Sequence, residues 1–251
     1  LHLMYGLSAE VGKILLDFGK VNKLHTHHLP TTDRPLVLNR FFGEDELAGQ
    51  GVTLKYLLPL PFYFQAQAGI WNMGSADPSA DAYSSPKDKT YTYRLNTSFE
   101  IDHNAELEIG NSGLSGHGPT FLAQKDRIKI WGADLTLKIF PSSYKKILFQ
   151  NEWMHLQREI PEHTIHRDGF YSFIGYRIDK YWDFGFRFDY SESPEAIVDR
   201  ERDVSLIVTR HLTETSYYRV TAKHKNIEGK DVTEGWLQLS FGIGPHSHEL
   251  E

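Results

Sequence analysis

The feature that most constrains this chain is an alternation of apolar and polar residues with a period of two, which recurs along nearly all of it. A period of two is typical of β-strands with one apolar and one polar face. Segment 182–190 is the clearest case, with Trp182, Phe184, Phe186, Phe188 and Tyr190 on one face and Asp183, Gly185, Arg187 and Asp189 on the other. The pattern predicts strands at 11–20, 51–58, 62–71, 90–102, 105–112, 127–140, 146–157, 169–179, 181–191, 203–212, 216–225 and 234–243.

The links between these strands alternate in length. Short links are predicted at 59–61, 103–104, 141–145, around Lys180 and at 213–215, and long polar links at 21–50, 72–89, 113–126, 158–168, 192–202 and 226–233. Short turns at one end and long loops at the other are typical of barrels in the bacterial outer membrane. The expected fold is therefore an all-β, transmembrane, antiparallel up-and-down barrel with about 12 visible strands.

The alternative is a soluble β-sandwich or lipocalin-like barrel, which also alternates. A small soluble barrel must fill its interior with side chains. Here one face carries bulky aromatic residues and the other carries charges of both signs, which favours an apolar outer surface around a wet lumen. A closed barrel satisfies its backbone hydrogen bonds within the bilayer, so this fold needs no long apolar run.

Composition and charge exclude several function classes. The net charge of −6 does not suit a nucleic-acid binder. The absence of cysteine excludes disulfides and thiolate chemistry. A barrel hydrolase needs Ser and His side by side, and only His246-Ser247-His248 provides this, after the last predicted strand. No enzyme activity and no catalytic residue are expected.

The chain is predicted to form one outer-membrane barrel domain over 1–251. Residues 1–10 are interpreted as the end of an upstream strand plus a turn, and 244–251 as a tail. The first and last strands would then run in the same direction, so an even-numbered antiparallel barrel is expected to have a parent of 14 or more strands.

The charged residues of the polar face are the candidate pore lining. They are Lys13, Asp17, Lys55, Arg94, Glu100, Glu106, Glu108, Asp134, Lys138, Arg177, Asp183, Arg187, Asp189, Arg219 and Lys223. Two interpretations stay open. The charges either form cross-strand ion pairs that stiffen the wall, or their basic members guide anions through a pore.

The link 21–50 is long for a loop without function, and it is the expected constriction or lid of the lumen. It contains His25 and His27, and imidazole is a common zinc ligand. A site needs three or four ligands, and Glu44, Glu46, His163 and His166 are the candidates to complete one. No cofactor is required, with Zn²⁺ as the one candidate; the alternative is that these histidines are solvated.

One stretch carries a family resemblance. Val11-Gly12-Lys13, Phe18-Gly19-Lys20, His25-Thr26-His27, Asp33-Arg34-Pro35-Leu36 and Tyr56-Leu57-Leu58-Pro59 follow in order, and Phe241-Gly242-Ile243-Gly244-Pro245-His246 follows near the end of the sequence. This resembles bacterial outer-membrane proteins labelled zinc-regulated, TonB-dependent outer-membrane receptors and, more distantly, the phosphate-selective porins. The resemblance implies a porin-like barrel and a link to zinc, with His25 and His27 on the family's two loop histidines.

The sequence thus predicts a bacterial outer-membrane channel for passive diffusion of small hydrophilic solutes or ions. About twelve strands leave no room for a TonB-type plug domain, since such transporters use 22. Outer-membrane lipid or lipopolysaccharide and small solutes are the expected partners, with no nucleic acid. The alternatives are a surface zinc-binding protein that uses the loop histidines, and a non-conducting barrel scaffold.

Overall fold

The computed structural model describes residues 2–43, 46–73, 89–117, 126–160, 163–194, 199–213 and 215–242. Within these residues, thirteen strands form one sheet in which each strand pairs antiparallel with its neighbours in the chain. The predicted all-β, up-and-down architecture is confirmed. The strands are β1 (His2–Met4), β2 (Leu7–Leu15), β3 (Ala48–Leu57), β4 (Tyr63–Asn72), β5 (Lys89–Asp102), β6 (Ala105–His117), β7 (Arg127–Ser142), β8 (Lys145–Ile160), β9 (His163–Arg177), β10 (Trp182–Glu192), β11 (Arg200–His211), β12 (Ser216–Ile227) and β13 (Lys230–Phe241).

The two faces of the sheet differ as the alternation predicts. On β10, Phe184 and Phe186 are about two-fifths exposed, whereas Arg187 and Asp189 are fully buried. The polar face is buried because the sheet curls around the segment that joins β2 to β3. We call the two sides of the sheet the outer and inner faces, and its two ends the short-turn end and the long-loop end.

The edge strands of the described sheet run in the same direction. β1 pairs only with β2, and β13 pairs only with β12, in the part of the chain that the structure describes. The turn predicted within residues 1–10 is short. Tyr5 and Gly6 form it, both with positive φ, and β2 starts at Leu7.

The first predicted strand, 11–20, is displaced towards the N-terminus. The structure places β2 at Leu7–Leu15, and the chain leaves the sheet at Leu16 and turns inward. The reason is tertiary: apolar residues after Leu15 pack on a core inside the sheet, so they continue the apolar pattern without continuing the strand.

Two long links were predicted where the structure has tight connections. β8 continues to Ile160 and β9 begins at His163, so link 158–168 is mostly strand. Link 226–233 shrinks to Glu228 and Gly229, whose positive φ angles of 50° and 82° suit a two-residue hairpin. In both hairpins the strands continue beyond the apolar band, so polar residues occupy both faces and the alternation disappears while the pairing persists.

The segment between β2 and β3, residues 16–47, is here named the plug segment; Glu44 and Asp45 lie outside the described residues. It contains a 3₁₀ turn at Thr26–His28 and one helix, α1 (Leu36–Phe42). Pro35 precedes α1 with the fixed φ that suits a helix start, and Gly43 ends it with a positive φ.

No helix among the described residues is long and apolar enough to cross a membrane.

Candidate functional site

The plug segment fills the long-loop half of the lumen with an apolar core. Phe18, Val37 and Phe41 are at most 1% exposed and pack against side chains of the inner face. The inner-face partners, contributed by strands β4 to β11, are Trp71, Leu114, Ile128, Ile130, Met154, Leu156, Tyr171, Phe173 and Ile207. Burial of this many large apolar groups holds the segment inside the barrel, at about 1.5–3 kcal/mol for each fully buried side chain. At this level the lumen, which the sequence predicted to be wet, is therefore filled by packed side chains.

Polar contacts anchor the far side of the plug segment to strands β10 and β12. Asp33 accepts a hydrogen bond from Nη2 of Arg187 at 2.9 Å and forms an ion pair with Lys223. Nη1 of Arg219 donates to the carbonyl of Thr31 at 2.7 Å. We name the set Asp33, Arg187 and Lys223 the latch, because it ties the segment to the wall opposite its origin.

The near side of the plug segment is tied to strands β5 and β6. The backbone N–H of Gly19 donates to Oγ of Ser112 at 3.0 Å, and Lys20 forms an ion pair with Glu108. Asp17 lies 3.6 Å from Nε of Arg94. The segment thus crosses the space enclosed by the inner face and is bound to the sheet on both sides.

The latch predicts that acid releases the plug. Burial raises the pKa of Asp33, but Arg187 and Lys223 outweigh burial and hold that pKa below its usual value. A lowered pKa in the docked state means that docking free energy is present above the carboxyl's ordinary pKa of about 3.9 and is lost as pH falls through the docked value. The groups facing Asp33 also include Asp189 and Asp203.

We therefore expect bilayer conductance to rise reversibly as the pH is lowered below about 4. In an Asp33→Asn variant the rise over the same range should be smaller, because this carboxyl is already neutral and only the other anchoring carboxylates, such as Glu108, still take up protons. An unchanged pH profile in Asp33→Asn would contradict the assignment to Asp33.

Below the plug core, at the short-turn end, a cavity of about 880 Å³ remains. Its described lining includes one carboxylate, Asp183, against five cations: Lys20, Lys138, Lys146, Arg177 and Arg219. His27, His28 and His211 also line it. Glu108 pairs with Lys138 at 3.0 Å and Asp183 with Arg177 at 2.8 Å, which offsets part of the positive charge. The cavity is therefore a moderately basic vestibule.

Most of the predicted pore-lining residues lie on the inner face and form ion pairs. Arg94 holds Asp134 in a bidentate pair, with Nη1–Oδ2 at 2.7 Å and Nη2–Oδ1 at 3.1 Å. Lys55 contacts Glu10 at 2.7 Å. Arg187 also contacts Asp189 at 2.6 Å. Such pairs stiffen the wall. Arg187 has a second role, because it also contacts Asp33 in the latch and so helps to hold the plug segment.

Two of the predicted pore-lining residues do not lie on the inner face of a strand: Asp17 lies in the plug segment, after β2 has ended, and Lys13 lies on the outer face. Glu106 accepts a hydrogen bond from Ser98 on the inner face and pairs in register with Glu100. Lys13 is placed wrongly by the prediction: it pairs with Gln50 on the exposed outer face, while Ile14 points inward to the plug core. The prediction assumed a polar lumen along all of β2, whereas here the lumen is apolar.

The metal-ligand candidates lie in different places. His25 and His27 stack in the 3₁₀ turn with ring centroids 5.7 Å apart, and Glu46 pairs with Arg34. His163 and His166 lie at the start of β9, and Glu44 lies outside the described residues. Among the residues that the structure describes, no three His, Asp or Glu side chains are grouped so that they could hold a metal ion.

Several residues of the plug were missed as site residues. Asn22 donates to the carbonyls of Leu16 and Leu47 and accepts from the Leu47 N–H, which closes the base of the segment. Arg40 pairs with Glu201 at 2.5 Å. The available signal was the density of large apolar residues in the predicted link 21–50, because a solvated loop has no need of Leu38, Phe41 and Phe42 together.

No known family model matches the chain. A similar relative is an uncharacterised protein of Aquifex aeolicus (strain VF5), 29% identical over an alignment of 287 positions that covers 98% of this chain and 60% of the relative. The chain therefore spans about 60% of the length of the curated relative that it matches. Among solved structures, the chain is similar to the KdgM porin in complex with disordered oligogalacturonate, with a TM-score of 0.33 and 10% identity, over 78% of this chain and 94% of that chain. This likeness is too distant to carry any property of that porin over to this chain.

Proposed function

We propose that this chain forms a channel of the bacterial outer membrane that passes small hydrophilic solutes or ions, with the plug segment as its gate and the basic vestibule as an anion-preferring entry. The observation that carries the proposal is the division of the molecule into an apolar outer face, a polar inner face and a lumen occupied by a segment with two separable sets of anchors.

The outer face supports a position in a membrane. Ile174, Leu206 and Val220 are 48%, 59% and 48% exposed near the middle of the sheet. Aromatic residues flank them, with Trp131 and Trp153 towards the long-loop end and Tyr144, Tyr176 and Tyr181 towards the short-turn end. Aromatic girdles around an apolar band are typical of outer-membrane barrels. Monomeric soluble proteins rarely expose large contiguous apolar patches, so these exposed apolar side chains favour a membrane setting.

The first test is conductance of the refolded protein in planar bilayers under a salt gradient. We expect low, intermittent conductance at neutral pH, because the plug core closes the long-loop half. The reversal potential should indicate a preference for anions over cations. A protein shown to be folded by heat-modifiable gel mobility that conducts neither at neutral nor at acid pH would exclude the channel.

Reversing one charge in the vestibule is predicted to change the ion selectivity. Lys146 lines the cavity, whereas its neighbour Lys145 is exposed outside it. We expect Lys146→Glu to shift the reversal potential towards cations by at least several millivolts, because charged rings near a constriction set selectivity. Lys145→Glu is the control and should shift it much less. Equal shifts in both variants would contradict a selective role of the vestibule.

A second candidate function is a non-conducting barrel scaffold, which the depth of the apolar plug core favours. It predicts negligible conductance even when the latch is broken.

Adding zinc to the same bilayers tests the zinc-binding alternative. A block by zinc that disappears in the His25→Ala/His27→Ala variant would support it.

A further inference from the structure

The outer face of β11 has a cation at each end of its apolar band. Val204, Leu206 and Val208 face outward between Arg202 and Arg210. The eight-residue separation of the two arginines is roughly 26 Å along the strand, and about 20 Å along the membrane normal at the tilt of barrel strands. An outer-membrane barrel carries an apolar band about 25 Å tall, so both arginines lie near the expected membrane–water boundaries.

Arg210 lies in an aromatic setting at the short-turn end. Its guanidinium carbon is 4.5 Å from the ring centroid of Tyr181 and 4.9 Å from that of Trp182. In register beside it on the outer face are Trp182 on β10 and Tyr218 on β12. The two rings hold the guanidinium by cation–π contacts.

Among the described residues, Arg210 has no charged partner. Nη1 of Arg210 is buried and makes no hydrogen bond, and none of the described carboxylates forms an ion pair with Arg210. Arg200, near the other end of β11, instead has Glu192 at 3.3 Å and a side chain that is 62% exposed. A buried cationic donor without an acceptor is costly, and a guanidinium fork matches two oxygens of a phosphate group.

We propose that Arg210 binds the headgroup phosphate of a glycerophospholipid in the leaflet at the short-turn end, with Tyr181 and Trp182 fixing the plane of the guanidinium. Lys180, whose Nζ lies 4.8 Å from the Tyr181 ring centroid, supplies a second cation beside the site. The outer-face position suits a lipid, since the acyl chains would lie along the apolar surface of β11 and β12. The inference rests on the membrane location proposed above.

The test is retention of phosphatidylglycerol by the purified full chain in detergent, measured by native mass spectrometry. The variants are Arg210→Gln, Arg210→Lys and, as control, Arg200→Gln. We expect Arg210→Gln to retain about tenfold less lipid than the parent, in line with loss of a charge-assisted bidentate contact. Arg210→Lys should fall between them because it keeps the charge without the fork, and Arg200→Gln should match the parent.

Equal retention by Arg210→Gln and the parent would overturn the inference. Competition with inorganic phosphate distinguishes the two sources of the group: displacement of the lipid by millimolar phosphate would overturn the lipid assignment in favour of a free-anion site. If Arg210→Gln does not fold by heat-modifiable mobility, the comparison of Arg210→Lys with the parent decides the outcome. Failure of the parent to insert into liposomes would instead refute the proposed membrane location.

Discussion

Replacing Asp33 with asparagine is expected to raise the probability that the channel is open by about thirtyfold to a thousandfold at neutral pH. The substitution removes the charge that Arg187 and Lys223 share in the latch. Breaking such a partly buried ion pair costs about 2–4 kcal/mol, and that free energy shifts the balance between docked and released plug. Opening frequency in single-channel recordings measures it.

The wall itself should survive this change. Arg187 keeps Asp189 at 2.6 Å, and Lys223 keeps Asp203 at 3.8 Å. The substitution therefore weakens the docking of the plug segment and leaves the pairing of the strands unchanged. Asp231→Asn is the matched control, because Asp231 lies on an exposed hairpin far along the chain and its side chain is 63% exposed. Opening frequencies in Asp33→Asn that equal those of this control would refute the latch.

The second large effect, on stability, is expected from a substitution at Gly110 on β6. The ion pair between Arg94 and Asp134 passes over this glycine. Arg94 on β5 reaches Asp134 on β7 across β6, where Gly110 pairs in register with Asp134. A Cβ at Gly110 would lie 2.3 Å from Oδ2 of Asp134 and 2.7 Å from Nη2 of Arg94. Only a residue without a side chain leaves room for this bridge.

Gly110→Val should therefore separate two buried charges, which costs about 3–5 kcal/mol. For a chain of this size that corresponds to a fall of roughly 6–20 °C in the midpoint of heat-modifiable gel mobility. Gly235→Val provides the control, since a Cβ at Gly235 meets nothing within 4 Å. A midpoint in Gly110→Val as high as that of Gly235→Val would mean that the Arg94–Asp134 pair contributes little to the wall.

The strands were predictable because alternation is a local property. Each strand has to present one face to apolar surroundings and one to polar groups, so Trp182–Tyr190 reveals its own conformation. The hairpin tips at 158–168 and 226–233 were not predictable in this way. There both faces meet polar surroundings, and backbone pairing alone maintains the strand.

The residues of the candidate site also differ in whether the local sequence could reveal them. Its charged inner-face residues can be predicted from the alternation along each strand. Lys13 is the residue for which this alternation gave the wrong face. Asp33 could not be recognised, because its partners Arg187 and Lys223 lie more than 150 residues away in the chain. Which charges form wall pairs and which hold the plug depends on positions around the sheet, and no local pattern records these.

The sequence by itself therefore determined the period, the up-and-down order and the two-sided character of the sheet, since each depends on neighbours within one strand or hairpin. Only the tertiary structure decided that residues 16–47 fill the lumen, that the long-loop half is apolar and that the basic vestibule opens at the other end. The physical reason is that packing of Phe18, Val37 and Phe41 is favourable only when side chains from six distant strands, β4, β6, β7, β8, β9 and β11, surround them.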